Sequence, residues 1–257
     1  MTARGLFRCF LPIVAAGWLF SGCGAPNEAR KTEADARMKM GVTYLQQNNI
    51  PRAMTELMKA GELDPSNPEV DMMLGLAYRA RGDQKKAEEH LREAIGKKGD
   101  YADAHNNLGI VLADRKAWDE AIVEFGKAAE NVRYQTPEWA VYNAAEAYRY
   151  KGDAAKAEEQ YRRAIRINER YAPAYTGLSS LLVNAGRREE AEAVLLRCVK
   201  AVPDYADGWM ELGRAYSAAK RPSDAAKAFK TVLSISDDPE VRRQAIGYLR
   251  VIGSERQ

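Results

Sequence analysis

Residues 68–101 read PEVDMMLGLAYRARGDQKKAEEHLREAIGKKGDY, and this stretch decides the fold because its pattern returns along most of the 257-residue chain. Gly75 belongs to a series of small residues, Gly41, Gly75, Gly109, Ala145, Ser179 and Gly213, separated by 34, 34, 36, 34 and 34 positions. In step with it run Ala53, Ala87, Ala121, Ala157, Ala191 and Ala225, and a third series of large side chains, Leu57, Leu91, Phe125, Tyr161, Leu195 and Phe229. A fourth, Tyr44, Tyr78, Leu112, Tyr148, Leu182 and Tyr216, lies three residues after the small position, a spacing that places both on one helical face. A unit of this length cannot bury its apolar face alone, so the pattern predicts stacked units sharing a continuous core.

Small, Tyr, Ala and aromatic positions in this order resemble the tetratricopeptide repeat, a helix, a turn and a second helix. The resemblance implies an all-α solenoid of six helix-turn-helix units at 34–67, 68–101, 102–137, 138–171, 172–205 and 206–239, followed by a capping helix near 240–252 within the closing segment 240–257. Local chemistry agrees. Arg81-Gly82-Asp83 and Lys151-Gly152-Asp153 place Gly after a first helix and an N-capping Asp before a second. Pro65 and Pro203 terminate second helices, and Val241, Ala245, Leu249 and Ile252 follow helical spacing in the cap. The third unit has two extra residues within Asn131 to Pro137, a loop insertion of the kind a solenoid tolerates on its turns.

Ahead of the repeats, Arg4 and Arg8 precede an apolar or small stretch from Cys9 to Phe20, and the first acidic residue is Glu28, the layout of a secretory signal. As a helix rising about 1.5 Å per residue, that stretch falls short of a hydrocarbon core of roughly 30 Å. Its end, Leu19-Phe20-Ser21-Gly22-Cys23, resembles the bacterial lipobox, although Phe20 stands where an aliphatic residue is usual. The resemblance implies a signal peptide at 1–22 and a lipidated Cys23 anchoring the mature chain; the alternative is ordinary cleavage that leaves Cys23 a free thiol. Several acyl chains would make attachment effectively permanent. Gly24, in place of an inner-membrane Asp, favours the outer membrane under the same resemblance. Residues 23–33, polar and containing Pro26, read as a tether.

The composition is that of a foldable chain, 46% hydrophobic and 29% charged, and a formal charge of +3 leaves no footprint for a phosphate backbone. Nucleic acid is excluded as the expected partner. His90 and His105 fall in different repeats with no second His, Cys or carboxylate arrangement at ligand spacing, so neither metal nor cofactor is expected. Ser217-Ala218-Ala219-Lys220 matches a Ser-x-x-Lys pattern without its companion motifs, and Cys198 reads as a small buried hydrophobe. The sequence predicts a protein that is not an enzyme.

What remains is surface. In tetratricopeptide arrays the first helices line a concave groove at the second, fifth, ninth and twelfth positions of each unit. Carried onto this chain, the resemblance puts Met38, Val42, Leu45, Met72, Leu76 and Ile110 in an apolar early groove suited to an amphipathic helix or extended segment. Farther along it puts Trp139, Tyr142, Glu146, Arg149 and Tyr150, a cluster with the character of an interface hot spot. The alternative is that these side chains pack on one another. A carboxylate clamp needs Asn at the ninth position, where this chain has Val42, Leu76, Ile110, Glu146, Ser180 and Arg214. Six repeats behind a lipobox, with the Asn131 to Pro137 junction, are similar to the type IV pilus secretin pilotins, the PilF/PilW/Tgl group of outer-membrane lipoproteins. That resemblance implies a lipid-anchored protein at the periplasmic face of the outer membrane whose partner is a secretin subunit. A periplasmic adaptor recruiting peptidoglycan hydrolases or another envelope complex is the alternative.

Overall fold

The computed structural model describes residues 25–254, among which there are helices and turns but no strand. The elements are α1 (Ala25–Gln46), α2 (Ile50–Leu63), α3 (Pro68–Ala80), α4 (Gln84–Lys97), α5 (Ala102–Asp114), α6 (Trp118–Glu130) and α7 (Pro137–Lys151). They continue with α8 (Ala154–Ile167), α9 (Ala172–Asn184), α10 (Arg188–Ala201), α11 (Ala206–Ala218), α12 (Pro222–Ile235) and α13 (Pro239–Ser254). Each helix packs on the next in sequence, and the odd-numbered helices also touch across repeats, α1 with α3 through α9 with α11. Odd-numbered helices are therefore crowded together, which places them on the inner side of the stack.

The repeat series have direct physical causes. A Cβ added to Gly75 would lie 2.7 Å from Leu91 Cγ, and one on Gly109 would lie 2.6 Å from the Phe125 ring. The small position is small because the large side chain of the partner helix fills its place, and Leu91 and Phe125 are buried as a result. Asp83 and Asp153 cap α4 and α8 by accepting the Lys86 and Lys156 amides at 3.2 and 3.1 Å. Before them Gly82 and Gly152 take positive φ of 86° and 90°. Lys116 and Lys220 make the same left-handed turn at 62° and 56°, so glycine is favoured there but not required. The extra residues of repeat three are pinned: Asn131 Nδ2 donates to the Asp100 carbonyl at 2.7 Å and Arg133 pairs with Asp100.

The N-terminal end differs from the sequence expectation. Residues 25–33, read as a tether, are helical and continue into the first repeat as part of α1. Pro26 does not prevent this because proline is tolerated in a first turn, and the Glu, Arg, Lys and Ala that follow favour helix. Residues 27–33 are exposed on every side, and the first buried residue is Ala34, where the repeat was expected to begin. At the other end α13 covers the last hairpin, with Ala245 and Ile252 buried and Tyr248 stacked on Phe229 at 4.7 Å. Among the described residues no helix is long and apolar enough to cross a membrane. The signal peptide and Cys23 lie outside the described residues.

Candidate partner-binding face

The early groove is shallower than the sequence suggests. Met38 and Met72, expected to line it, are 6% and 7% exposed and belong to the core with Leu57 and Leu91. The fifth position of the repeat turns into the contact between successive first helices, as Asn106 shows by bonding Asn143 on α7 at 3.1 Å. Leu45 is half-buried against the same core, and Val42, Leu76 and Ile110 are half-buried, leaving a narrow apolar strip.

The middle of the face is open. Trp139 and Tyr150, at the two ends of α7, are 51% and 60% exposed. Near its start, Trp139 leans on Tyr171 with ring centres 6.2 Å apart, and Tyr142 meets Tyr171 edge-on at 5.5 Å and Tyr161 at 5.9 Å. Near its end, Tyr150 stacks on Trp118 at 5.3 Å while the Arg149 guanidinium lies 4.1 Å from the Tyr150 ring centre. Between them Glu146 accepts from Arg149 Nη2 at 2.6 Å and from the Tyr161 hydroxyl. Burial, with the Glu146 charge beside it, pushes the Tyr142 phenol up to about 12, so it stays a hydrogen-bond donor. Tyr142, Glu146 and Arg149 face Thr176, Ser180 and Glu211 across a concavity of about 310 Å³. The five residues expected on α7 thus fall into two joined aromatic patches held by one ion pair.

The structure also brings together charged groups that the linear reading missed. His105 Nδ1 lies 2.6 Å from Glu124 Oε2, whose other oxygen accepts from Lys127 at 2.8 Å, all within the α5–α6 hairpin. Burial would raise the Glu124 carboxyl, but His105 and Lys127 hold it below the usual carboxylate range. One repeat earlier, His90 Nδ1 lies 3.7 Å from Asp71 Oδ1 and 3.5 Å from Glu93 Oε2. In the first repeat Arg37 Nη1 donates to Glu56 at 2.9 Å. Both histidines therefore face a carboxylate across the hairpin, bonded for His105 and at longer range for His90, contrary to the sequence expectation; the signal is opposite charge at a constant separation of 19 residues. Cys198 is fully buried, and burial pushes its thiol up to about 11, as expected of a packing residue. The Ser217 hydroxyl donates to the Gly213 carbonyl of its own helix at 3.0 Å.

Family models of the tetratricopeptide repeat match residues 72–136 and 176–239 in one form and 34–67 and 140–171 in another. The chain is 26% identical over 185 residues to the type IV pilus assembly protein PilF of Pseudomonas aeruginosa, covering 71% of this chain and 73% of that one. The solved structure of Pseudomonas aeruginosa PilF superposes with a TM-score of 0.69 at 21% identity, over 84% of this chain and 97% of its own. PilW, a widely conserved type IV pilus biogenesis factor, superposes with a TM-score of 0.68 at 21% identity, over 83% and 98%.

Proposed function

The chain belongs to the tetratricopeptide-repeat family, and from that premise we propose that it is a pilotin: a lipid-anchored scaffold that captures secretin subunits and promotes their assembly in the outer membrane for type IV pili. The observation that carries the binding half is the exposed pair of aromatic residues on α7, Trp139 and Tyr150, which flank the concavity lined by Tyr142, Glu146 and Arg149 of the same helix. Large, stiff aromatic rings beside a paired Arg are the residues that dominate protein interfaces. Similarity to PilF over most of both chains supports the pilus assignment. No bond is made or broken: the groove recognises and the lipid locates.

In this reading Cys23 carries the acyl chains and concentrates captured secretin at the inner leaflet of the outer membrane. The start of α1, from Ala25 to the first buried residue Ala34, spans about 14 Å at about 1.5 Å per residue and separates the anchor from the packed body. A strain carrying Cys23→Ala is expected to make folded protein but to lose outer-membrane secretin multimers. Trp139→Ala with Tyr150→Ala is expected to keep the anchor and lose co-purification of the secretin. Multimers that persist in the Cys23 variant contradict the anchoring half. Normal multimers with altered cell-wall hydrolysis in a deletion strain would instead point to the envelope adaptor.

A further inference from the structure

The fourth and twenty-third positions of the repeat hold Arg37 with Glu56, Asp71 with His90, and His105 with Glu124. In repeats one and three the twenty-sixth position is Lys59 or Lys127, whose ammonium reaches the glutamate and completes the group. In repeat two that position is Glu93, so His90 faces two carboxylates. Its Nδ1 atom is buried and has no hydrogen-bond partner among the described residues.

The separations are informative. At 3.7 Å to Asp71 Oδ1 and 3.5 Å to Glu93 Oε2, Nδ1 is too far for good hydrogen bonds, and all three donor atoms lie within 4.8 Å of one another. Two ligands of one tetrahedral ion, each bonded at about 2.0–2.2 Å, sit about 3.3–3.6 Å apart. We infer that Asp71, His90 and Glu93 bind one divalent first-row cation of the zinc class, clasping α3 to α4. Imidazole with two carboxylates suits such an ion, whereas calcium and magnesium prefer oxygen alone.

The surroundings support the site. Lys97 bonds the far oxygen of Asp71, leaving Oδ1 directed at His90, the arrangement in which an outer partner orients a ligating carboxylate. Tyr78 stacks on the His90 ring at 5.1 Å and 7°, holding its plane. Two carboxylates against one ammonium leave the site net negative before an ion enters. The Glu93 side chain is 58% exposed, so an ion reaches the site from solvent and a water can complete its shell.

Titrating the mature chain with zinc chloride at pH 7, followed by calorimetry, is expected to give one zinc per chain and a melting temperature that rises with zinc. Glu93→Gln, at an exposed position that leaves the fold intact, and His90→Gln should each weaken binding by more than about tenfold and abolish the rise. His105→Gln, at the position of repeat three that matches Asp71, should retain the site. Absence of saturable binding, unchanged affinity in Glu93→Gln and His90→Gln, or loss of zinc through His105→Gln alone would overturn the inference.

Discussion

At the fourth and twenty-third positions the first half of the solenoid holds Arg37 with Glu56, Asp71 with His90 and His105 with Glu124, whereas the second half holds Val141 with Gln160, Tyr175 with Val194 and Trp209 with Ala228. The backbone geometry is shared; the chemistry closing each hairpin is not. One duty of the fourth position survives the change. His105 Nε2 lies 3.2 Å from the Gly99 carbonyl, Tyr175 donates its hydroxyl to Glu169 at 3.0 Å, and Trp209 donates Nε1 to Pro203 at 2.8 Å, each six residues back. The position therefore staples the preceding turn whether its neighbour across the hairpin is charged or apolar. The two halves should differ not in architecture but in what weakens them.

The largest effect belongs to the apolar half. Tyr175, 2% exposed, fills its hairpin with an aromatic ring, and Tyr175→Ala should cost about 3–5 kcal/mol in denaturant melts. In the charged half Glu124→Ala, which strands His105 and Lys127, should cost about 3 kcal/mol. The sharper test transplants one solution into the other: His105→Tyr with Glu124→Val should restore wild-type stability or exceed it, since a buried pair is often no better than a well-packed apolar one. If the double variant is as unstable as Glu124→Ala, the two solutions are not interchangeable.

Acid should separate the halves next. Burial works against the Glu124 charge, but His105 and Lys127 leave its folded pKa below the unfolded value, so its contribution is complete above about 4.3 and is lost as pH falls through the folded value. Glu56, beside Lys59 and Arg37, is shifted in the same direction. Glu158 in the second half is also lowered by Arg187 and Arg162, but these are half-exposed arginines at the surface, a setting in which ion pairs contribute little. Amide exchange between pH 3 and 4 should therefore release α5 and α6 before α8 to α10; simultaneous release would show that the two halves respond to acid alike. The smallest change is expected for Arg37→Gln, which leaves Glu56 paired with Lys59 and removes only a half-exposed guanidinium, and its melt should nearly overlay the wild type.

Much of this architecture was legible in the sequence because tetratricopeptide packing is periodic: Gly75 against Leu91 and Gly109 against Phe125 are contacts written as spacings. The capping Asp83 and Asp153 and the buried Cys198 were readable for the same reason, since local rules settle them. The site was read less well. Met38 and Met72 carry the groove's register but are drawn into the contact between first helices, a tertiary effect that side-chain type does not reveal. The charged triads are hidden in the sequence because they join two helices of a hairpin, whereas short ligand-spacing motifs lie on one helix or loop. The helical start of α1 reads as a tether from its polar composition, although its Glu, Arg, Lys and Ala favour helix.

The proposal that the inner face of the middle repeats captures a secretin can be tested by amide exchange of the purified protein with and without purified secretin subunit. New protection is expected along α7 and α9, centred on Trp139 to Tyr150, with α8 and α10 unchanged. Protection confined to α8 and α10, or none at concentrations where the two proteins co-sediment, would contradict it.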